Sequence, residues 1–246
     1  FECEIISNIP IQAGTGSSSS IMVGWVQFLC NIADKPADWD QQKIGELAYN
    51  AEVREFNEPG GMMDQYSSAM GHLIYLESIP KIYIRQLNLN LGTFVLGNSR
   101  EQKDTMGILQ HCRDSRLDII RKIEKSNPRF DLHNYNKNVD LSTLDDQERI
   151  LFNGTIQNRD ILKNALPELE KNKPNHRLIG QLLSSHHQVL RDVLNVSTPK
   201  IESMLNAALN AGALGGKING SGGGGCMFAY SPESPEKVAE AIESVG

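Results

Sequence analysis

The stretch Asn210-Ala-Gly-Ala-Leu-Gly-Gly-Lys-Ile-Asn-Gly-Ser-Gly-Gly-Gly-Gly-Cys-Met-Phe-Ala-Tyr230 is the part of this 246-residue sequence that decides the fold. Each glycine in it loses more backbone freedom on folding than any other residue would. Bare backbone is needed either where N–H groups approach an anion such as phosphate or where two chain segments approach each other. A flexible linker is the alternative, but apolar residues flank the glycines on both sides. The pattern favours a functional loop that leads into a β-strand over residues 226–230, with Gly222, Gly223 and Gly224 as candidate phosphate contacts.

A second cluster of small residues lies near the start, in Ile9-Pro-Ile-Gln-Ala-Gly-Thr-Gly-Ser-Ser-Ser-Ser20. The apolar residues 21–33 that follow predict a helix buried on most sides, with the serines at its N-cap and first turn. The N–H groups and the positive dipole end of such a helix attract phosphate, and serine hydroxyls can bind phosphate oxygens or magnesium. No Gly-Lys-Ser/Thr closes the segment, so it is not a P-loop. The candidate nucleotide contacts are Gly14, Thr15, Gly16, Ser17, Ser18 and Ser19.

A third cluster, residues 51–66, supplies candidate chemistry. The spacing of apolar residues predicts a helix over residues 41–56, which the Pro59-Gly60-Gly61 turn ends. Asp64 follows this turn and is a candidate general base, although it could equally cap the next helix, Gln65 to Met70. Acidic residues precede the turn and form either a solvated helix face or a source of one magnesium ligand. They are Glu52, Glu55 and Glu58.

Together these clusters resemble the GHMP kinase family. The Pro10-to-Ser19 segment is similar to its nucleotide motif Pro-x-x-x-Gly-Leu-Gly-Ser-Ser-Ala, and residues 211–226 are similar to its C-terminal glycine motif. Gly61-Met-Met-Asp-Gln-Tyr66 resembles the Gly-x-Met-Asp-Gln-Phe of galactokinases in particular. The stretch from Ser184 to Glu202 resembles another galactokinase pattern, Ser-His-x-Ser-Leu-Arg-x-x-Tyr-x-Val-Ser-Cys-Pro-Glu.

The resemblance implies an ATP-dependent sugar kinase that uses Mg²⁺ and transfers the γ-phosphoryl group to a sugar hydroxyl. Ser18 and Glu52 would share the magnesium ion, and Asp64 would accept or orient the proton of the hydroxyl. Gly61 and Asp64 would contact the substrate. The glycine loop would support the phosphate loop or touch the phosphates itself. Asn98-Ser99-Arg100 is similar to a family segment near the sugar pocket.

The chain also departs from the family pattern. Members begin with a motif that supplies substrate contacts and, in galactokinases, an arginine paired with the catalytic aspartate and a Glu-His-Asp sugar-binding cluster. No such stretch is present, and Phe1 falls inside the strand expected to lead into the serine segment. We therefore expect either a fragment or a missing N-terminal segment supplied by another chain.

Composition indicates an ordinary globular protein. The chain is 39% hydrophobic and 22% charged, with a formal net charge of −6. This negative charge argues against a nucleic-acid partner. No apolar run reaches the roughly 18 residues of a membrane span, and the four cysteines form no CxxC or metal-ligand spacing. We expect free thiols, no membrane partner, a small-molecule sugar partner and a cytoplasmic location.

Turn signals divide the chain into early strands and a helical middle. This order predicts an α+β, two-domain fold. Strands are expected over residues 73–78, 81–91 and 93–98, and helices over 109–125, 142–165, 178–194, 199–211 and 235–245, with loops at 127–138 and 171–175. By resemblance, residues 1–91 form an incomplete N-terminal GHMP kinase domain, and residues 92–246 form a ferredoxin-like C-terminal domain.

Two alternative functions stay open. The chain could phosphorylate mevalonate or a heptose phosphate, or it could be a non-catalytic nucleotide- or sugar-binding regulatory homologue. His186 and His187 are adjacent on a predicted helix, so they face different directions and favour no shared metal. Arg191 is expected in a salt bridge rather than at the nucleotide.

Overall fold

A computed structural model describes residues 2–11, 13–35, 38–101, 105–135 and 139–246. Gln12 of the serine segment and residues 136–138 of the expected 127–138 loop lie outside the described residues. The chain divides into two compact units, Phe1–Asn88 and Leu89–Gly246. The domain boundary predicted from the sequence, between residues 91 and 92, is three residues later than the observed division.

The N-terminal unit combines three helices with a hairpin. Its core lies between the helices and contains Val23, Ile44, Ala48 and Ala69. The elements are α1 (Ser17–Ile32), α2 (Gln41–Tyr49), a π-helical turn (Asn50–Arg54), α3 (Met63–Met70), β1 (Leu73–Glu77) and β2 (Tyr83–Leu87). Strands β1 and β2 pair antiparallel from Leu73 opposite Leu87 to Glu77 opposite Tyr83.

Helix α1 differs from its prediction in two ways. The serines form its first turn as predicted, but its N-cap is Gly16 rather than a serine. It also buries only one side, since Ile21, Leu29 and Ile32 are exposed. Apolar composition predicts a helix but does not determine how many neighbours cover it.

Two further predictions in this unit need correction. The expected helix over 41–56 changes from α-helical to π-helical hydrogen bonding at Asn50 and ends at Arg54. Phe1, which was expected inside the strand that leads into the serine segment, lies outside the described residues, and residues 2–8 form no strand with any described residue. An extended segment becomes a strand only when its backbone groups pair with a neighbour. The strand predicted over 81–91 is limited to Tyr83–Leu87 for the same reason.

The C-terminal unit is built on a three-stranded antiparallel sheet. The strand order is β3-β5-β4, with β5 central. Helices α7 and α8 cover one face with a core that includes Ile201, Met204, Met227 and Ile242. The elements are β3 (Phe94–Asn98), α4 (Thr105–Ser126), α5 (Asp146–Leu169), α6 (His176–Asp192), α7 (Pro199–Asn210), β4 (Gly215–Ile218), β5 (Cys226–Tyr230) and α8 (Pro235–Glu243). The predicted α+β fold is confirmed.

Strand β4 lies in the segment that the sequence assigned to a loop. Its glycines are needed because α6 runs directly beside it: a Cβ on Gly215 would lie 1.8 Å from the backbone oxygen of Gly180. Glycine within a strand marks such a close approach. A side chain of α6 also accepts a hydrogen bond from the β4 backbone, because Gly216 N donates to Ser184 Oγ at 3.3 Å. The helix therefore protects an edge strand whose N–H groups would otherwise be unpaired.

Helices α4 and α5 form a second small core in this unit, around Ile119, Ile123 and Phe152. Helix α5 was predicted over 142–165 but begins at Asp146, because Asp145 and Glu148 form a reciprocal capping box. It continues through Pro167 to Leu169. The other helix predictions differ from the structure only near their ends.

The described residues contain no helix that is both long and apolar enough to cross a membrane. All four cysteines are free thiols, with Cys30 and Cys226 buried.

We expect acid to destabilise the fold through His186. Burial, followed by the charges of Lys217, His187 and Arg116, lowers its pKa from 6.5 to about 4. The unfolded chain therefore binds more protons between these values, and the free energy of unfolding should fall as the pH falls from about 6.5 to about 4. Denaturant unfolding across this range should give a shallower decline for His186→Gln. An identical decline in both proteins would contradict this assignment.

Candidate functional site

The serine segment of the N-terminal unit has the geometry of an anion site. Gly16 adopts a left-handed conformation with φ of 69° and precedes α1 without any side-chain cap. Thr15 Oγ1 donates a hydrogen bond to the Pro10 carbonyl oxygen at 3.0 Å, which joins the two ends of the loop before α1. Ser18 is exposed and Ser19 is buried. The positive end of the α1 dipole is therefore presented together with serine hydroxyls.

Asp64 lies beside this helix start. A Cβ built on Gly16 would be 4.0 Å from both Cβ and Cγ of Asp64, so the aspartate lies within van der Waals range of the helix start. The N-cap of α3 is Met62, and Asp64 is in the first turn. The capping alternative for Asp64 is therefore wrong. Its side chain is exposed, where an acceptor hydroxyl can reach it.

A hydrogen-bonded bridge joins the serine segment to the acidic helix. The buried Gln65 donates through Nε2 to Ser19 Oγ at 3.1 Å and to Glu52 Oε2 at 2.7 Å. Glu52 stands on the π-helical turn, a local widening that frequently occurs at functional sites. Glu55 and Glu58 are exposed, in agreement with a solvated face. Of the three glutamates, Glu52 is the one that hydrogen bonds connect to a serine.

Sequence reasoning missed Gln65 as a site residue, and it paired Glu52 with Ser18. The bridge instead reaches Ser19, while Ser18 lies on the exposed side of the turn. The signal was present, because Gln65 directly follows Asp64 in the Gly61-to-Tyr66 motif. Gly61 is exposed, and a Cβ there would meet nothing within 4 Å.

The donors of this site suit magnesium. Glu52 offers a carboxylate and the serines offer hydroxyls, which are the oxygen ligands that Mg²⁺ prefers. Gln65 Oε1 is buried and has no hydrogen-bond partner within the described part of the chain. Among the described residues, no three His, Cys, Asp or Glu side chains form a metal cluster. A site here would therefore leave most coordination positions to phosphate oxygens and water.

The C-terminal unit carries the glycine loop, which connects β4 to β5. Its residues Gly222 to Gly225 all have positive φ, from 72° to 124°. The loop lies against Val196: Gly223 N donates to Val196 O at 2.6 Å, and a Cβ on Gly222 would be 2.7 Å from the same oxygen. The amide of Gly223 is thus engaged within the protein, and close chain approach explains part of the glycine content.

A buried serine holds the other end of the loop. Ser99 donates through its amide at 2.9 Å and through Oγ at 2.8 Å to the Gly225 carbonyl oxygen. Gly225 N donates to Glu101 O at 3.2 Å. The Asn98-Ser99-Arg100 segment, predicted near a sugar pocket, therefore anchors the glycine loop.

A single methyl group at Gly222 should disturb the loop. Gly222→Ala meets Val196 O at 2.7 Å in addition to the strain of its positive φ, so we expect weaker binding of an ATP analogue. Gly212→Ala is the matched control, because Gly212 also has positive φ but its Cβ would meet nothing within 4 Å. Gly223→Val should weaken binding as well. Equal affinities for the wild type, Gly222→Ala and Gly223→Val would show that the loop plays no part in nucleotide binding.

His186 and His187 have different surroundings. His187 is bonded to Glu202, and His186 is near Lys217 and Arg116. Arg191 forms ion pairs with Asp192 at 2.7 Å and with Glu202 at 3.2 Å, as predicted.

Two family profiles match the chain. The GHMP kinases N terminal domain matches residues 1–72, and the GHMP kinases C terminal profile matches residues 165–246. The two matched segments fall in the N-terminal and C-terminal units, respectively.

Mevalonate kinases and galactokinases are among the known proteins that are similar to this chain. A mevalonate kinase of Pyrococcus abyssi is 27% identical over 98% of this chain and 63% of its own length. A galactokinase of Pasteurella multocida is 26% identical over 97% of the chain and 63% of its length. The solved galactokinase of Lactococcus lactis with galactose superposes with a TM-score of 0.78 at 19% identity, over 97% of this chain and 63% of that chain. The chain thus spans about 63% of the length of these relatives.

Proposed function

Because this chain belongs to the GHMP kinase family, we propose that it transfers the γ-phosphoryl group of ATP to a hydroxyl group of a small molecule. The supporting observation is the bridge from Ser19 through Gln65 to Glu52, beside Asp64 at the start of α1. It combines an anion-binding helix start, an oxygen-rich site for a cation and an exposed carboxylate. Phosphoryl transfer needs mainly positioning and neutralisation of charge, which these groups can supply.

Each residue has a proposed role in this reaction. Gly14 to Ser19 would bind the triphosphate through backbone N–H groups and hydroxyls, and Asp64 would take the proton of the acceptor hydroxyl. The new bond joins that oxygen to the γ-phosphorus, and the bond from the γ-phosphorus to the bridging oxygen of ADP breaks. Glu52 and a serine hydroxyl would hold Mg²⁺, which neutralises phosphate charge when bound. We assign this hydroxyl to Ser18, as the sequence suggests, with Ser19 as the alternative.

The acceptor has two leading candidates. The Gly61-to-Tyr66 segment favours a sugar such as galactose, as the resemblance to galactokinases suggested. The named relatives also favour mevalonate, because mevalonate kinases align over nearly all of the chain at identities of up to 29%. We propose Gly61 as a further contact to either acceptor, in line with the resemblance, since it is exposed and a Cβ there would meet nothing within 4 Å.

An acceptor panel tests the proposal. ADP release from MgATP should depend on one of galactose, mevalonate or a heptose phosphate and be absent without an acceptor. Saturable binding of an ATP analogue together with no acceptor-dependent release for any compound would favour the non-catalytic regulatory alternative. We also propose a cytoplasmic location, supported by the four free thiols.

A further inference from the structure

A polar network in the C-terminal unit reaches the glycine loop from two sides. Its first contact is with β4, the strand that leads into the loop, where Ile218 N donates to His187 Nδ1 at 3.3 Å. Because Nδ1 accepts, the ring proton is on Nε2, which donates to Glu202 Oε1 at 2.7 Å. His187 is 5% exposed, so its bond to Ile218 is buried, while its bond to Glu202 is partly buried.

The second contact is with the segment on which the loop rests. Ser197 Oγ donates to Glu202 Oε1, and the preceding Val196 accepts from Gly223 N at 2.6 Å. Val196 N in turn donates to Leu190 O of helix α6. One carboxylate therefore connects His187 to the segment that supports Gly223.

We propose that His187 and Glu202 are positioning residues of the glycine loop, with neutral His187 fixing β4 and Glu202 fixing the Val196-Ser197 support. The inference rests on the proposed ATP-dependent function only in its expected effect on nucleotide affinity, for which the sequence predicts that Gly222, Gly223 and Gly224 contact phosphate. No part of the network is proposed to touch the nucleotide, so its effect on affinity is exerted through the loop backbone.

The charges around the network favour a neutral histidine beside an ionised glutamate. Burial lowers the pKa of His187 and outweighs the hydrogen bond to Glu202, which acts in the opposite direction. Burial opposes ionisation of Glu202, but hydrogen bonds from Ser197 and His187 lower its pKa. Charged and titratable groups face His187 from three elements: Glu202 from α7, Lys217 from β4, and His186, Arg191 and Asp192 from α6.

Acid should therefore loosen the loop. Protonation turns Nδ1 into a donor that faces the Ile218 N–H group, so the bond to β4 is lost. Because the pKa of His187 is lowered from 6.5, this loss begins only below that value as the pH falls. Lys217, whose pKa burial lowers to about 8, changes charge on the alkaline side and cannot account for an acid effect.

Two substitutions separate the two bonds of His187. In His187→Asn, the amide oxygen can still accept from Ile218 N, but the donor to Glu202 is absent. In His187→Gln, the amide nitrogen can still donate to Glu202, but the acceptor for Ile218 is absent. His186→Gln is the matched control on the same helix. Each His187 variant leaves a buried polar group unpaired, which is commonly equivalent to about tenfold or more in an equilibrium.

Hydrogen exchange of the Gly223 amide provides the test, with the amide of the buried Phe152 in α5 as an internal reference. We expect the protection factor of Gly223 to fall about tenfold in both His187 variants at neutral pH, with Phe152 unchanged. On acidification the protection of Gly223 should fall by more than that of Phe152, which reports the loss of overall stability through His186. Affinity for an ATP analogue should fall in parallel. The His186→Gln protein should match wild type at neutral pH.

Several outcomes are decisive. Unchanged Gly223 protection, or an equal fall at Gly223 and Phe152, would overturn the positioning role. If an unfolded His187→Asn protein prevents the measurement, the acid titration of the His186→Gln protein, which lacks the titration of His186, tests the same role. If Gly223 protection falls while the affinity for the ATP analogue is unchanged, His187 and Glu202 position the loop, but the loop does not contribute to nucleotide binding. The two proposals therefore fail separately.

Discussion

Replacing Asp64 by Asn should lower kcat by about 10²-fold or more while the affinity for an ATP analogue stays near wild type. Asn has the same shape but cannot accept the proton of the acceptor hydroxyl. The space beside Gly16 would be unchanged, so the serine segment should keep its conformation. Steady-state rates at saturating MgATP and acceptor, together with calorimetric binding of the analogue, measure the two effects.

The control for this variant is Glu58→Gln, which neutralises an exposed carboxylate before the Pro59-Gly60-Gly61 turn. It should retain the wild-type kcat. Full activity of Asp64→Asn would show that Asp64 does not accept the proton in the reaction. An equal loss of kcat in Glu58→Gln would show that the loss in Asp64→Asn results from a change in surface charge.

Replacing Glu52 by Gln should raise the concentration of Mg²⁺ needed for half-maximal activity by about 10- to 100-fold. The new amide oxygen can still accept from Gln65 Nε2, so the bridge to Ser19 can persist while the negative charge is lost. The change in magnesium dependence therefore reports the contribution of the negative charge of Glu52 to magnesium binding. A magnesium titration of the rate at fixed ATP measures it.

Glu55→Gln is the matched control, because Glu55 is exposed immediately after the π-helical turn. It should leave the magnesium dependence unchanged. Comparison of Ser18→Ala with Ser19→Ala then identifies the hydroxyl involved, since Ser19→Ala also removes the bond to Gln65. The same magnesium dependence in wild type and Glu52→Gln would mean that other residues hold the ion.

The sequence was most informative where function constrains the residue type. Glycines and serines before an apolar segment predicted the start of α1, and the aspartate after a Gly-Gly turn predicted a carboxylate near the site. The roles of these residues stay predictions. Their proximity could not be predicted, because it depends on how α3 packs beside α1. Gln65 was missed as a site residue although it belongs to the Gly61-to-Tyr66 motif, because its hydrogen bonds to Ser19 and Glu52 join segments that are far apart in the sequence.

Strand β4 was missed for a different reason. Glycine normally argues against a strand, so Gly215 and Gly216 suggested a loop. In the structure α6 packs so close to this strand that no side chain fits at Gly215. Local propensity was overridden by a tertiary contact with a helix about 30 residues earlier in the chain, which single-sequence patterns do not encode.

Phosphoryl transfer with Asp64 as the proton acceptor is the central claim for this family member. The most direct measurement follows the label from ATP radiolabelled at the γ-phosphate, with galactose, mevalonate and a heptose phosphate as separate acceptors. We predict acceptor-dependent appearance of a labelled phosphate ester with wild type, and a rate about 10²-fold lower with Asp64→Asn at equal occupancy by ATP. Equal rates of labelled ester formation by the two proteins, or no labelled ester from any acceptor despite bound ATP, would contradict the claim.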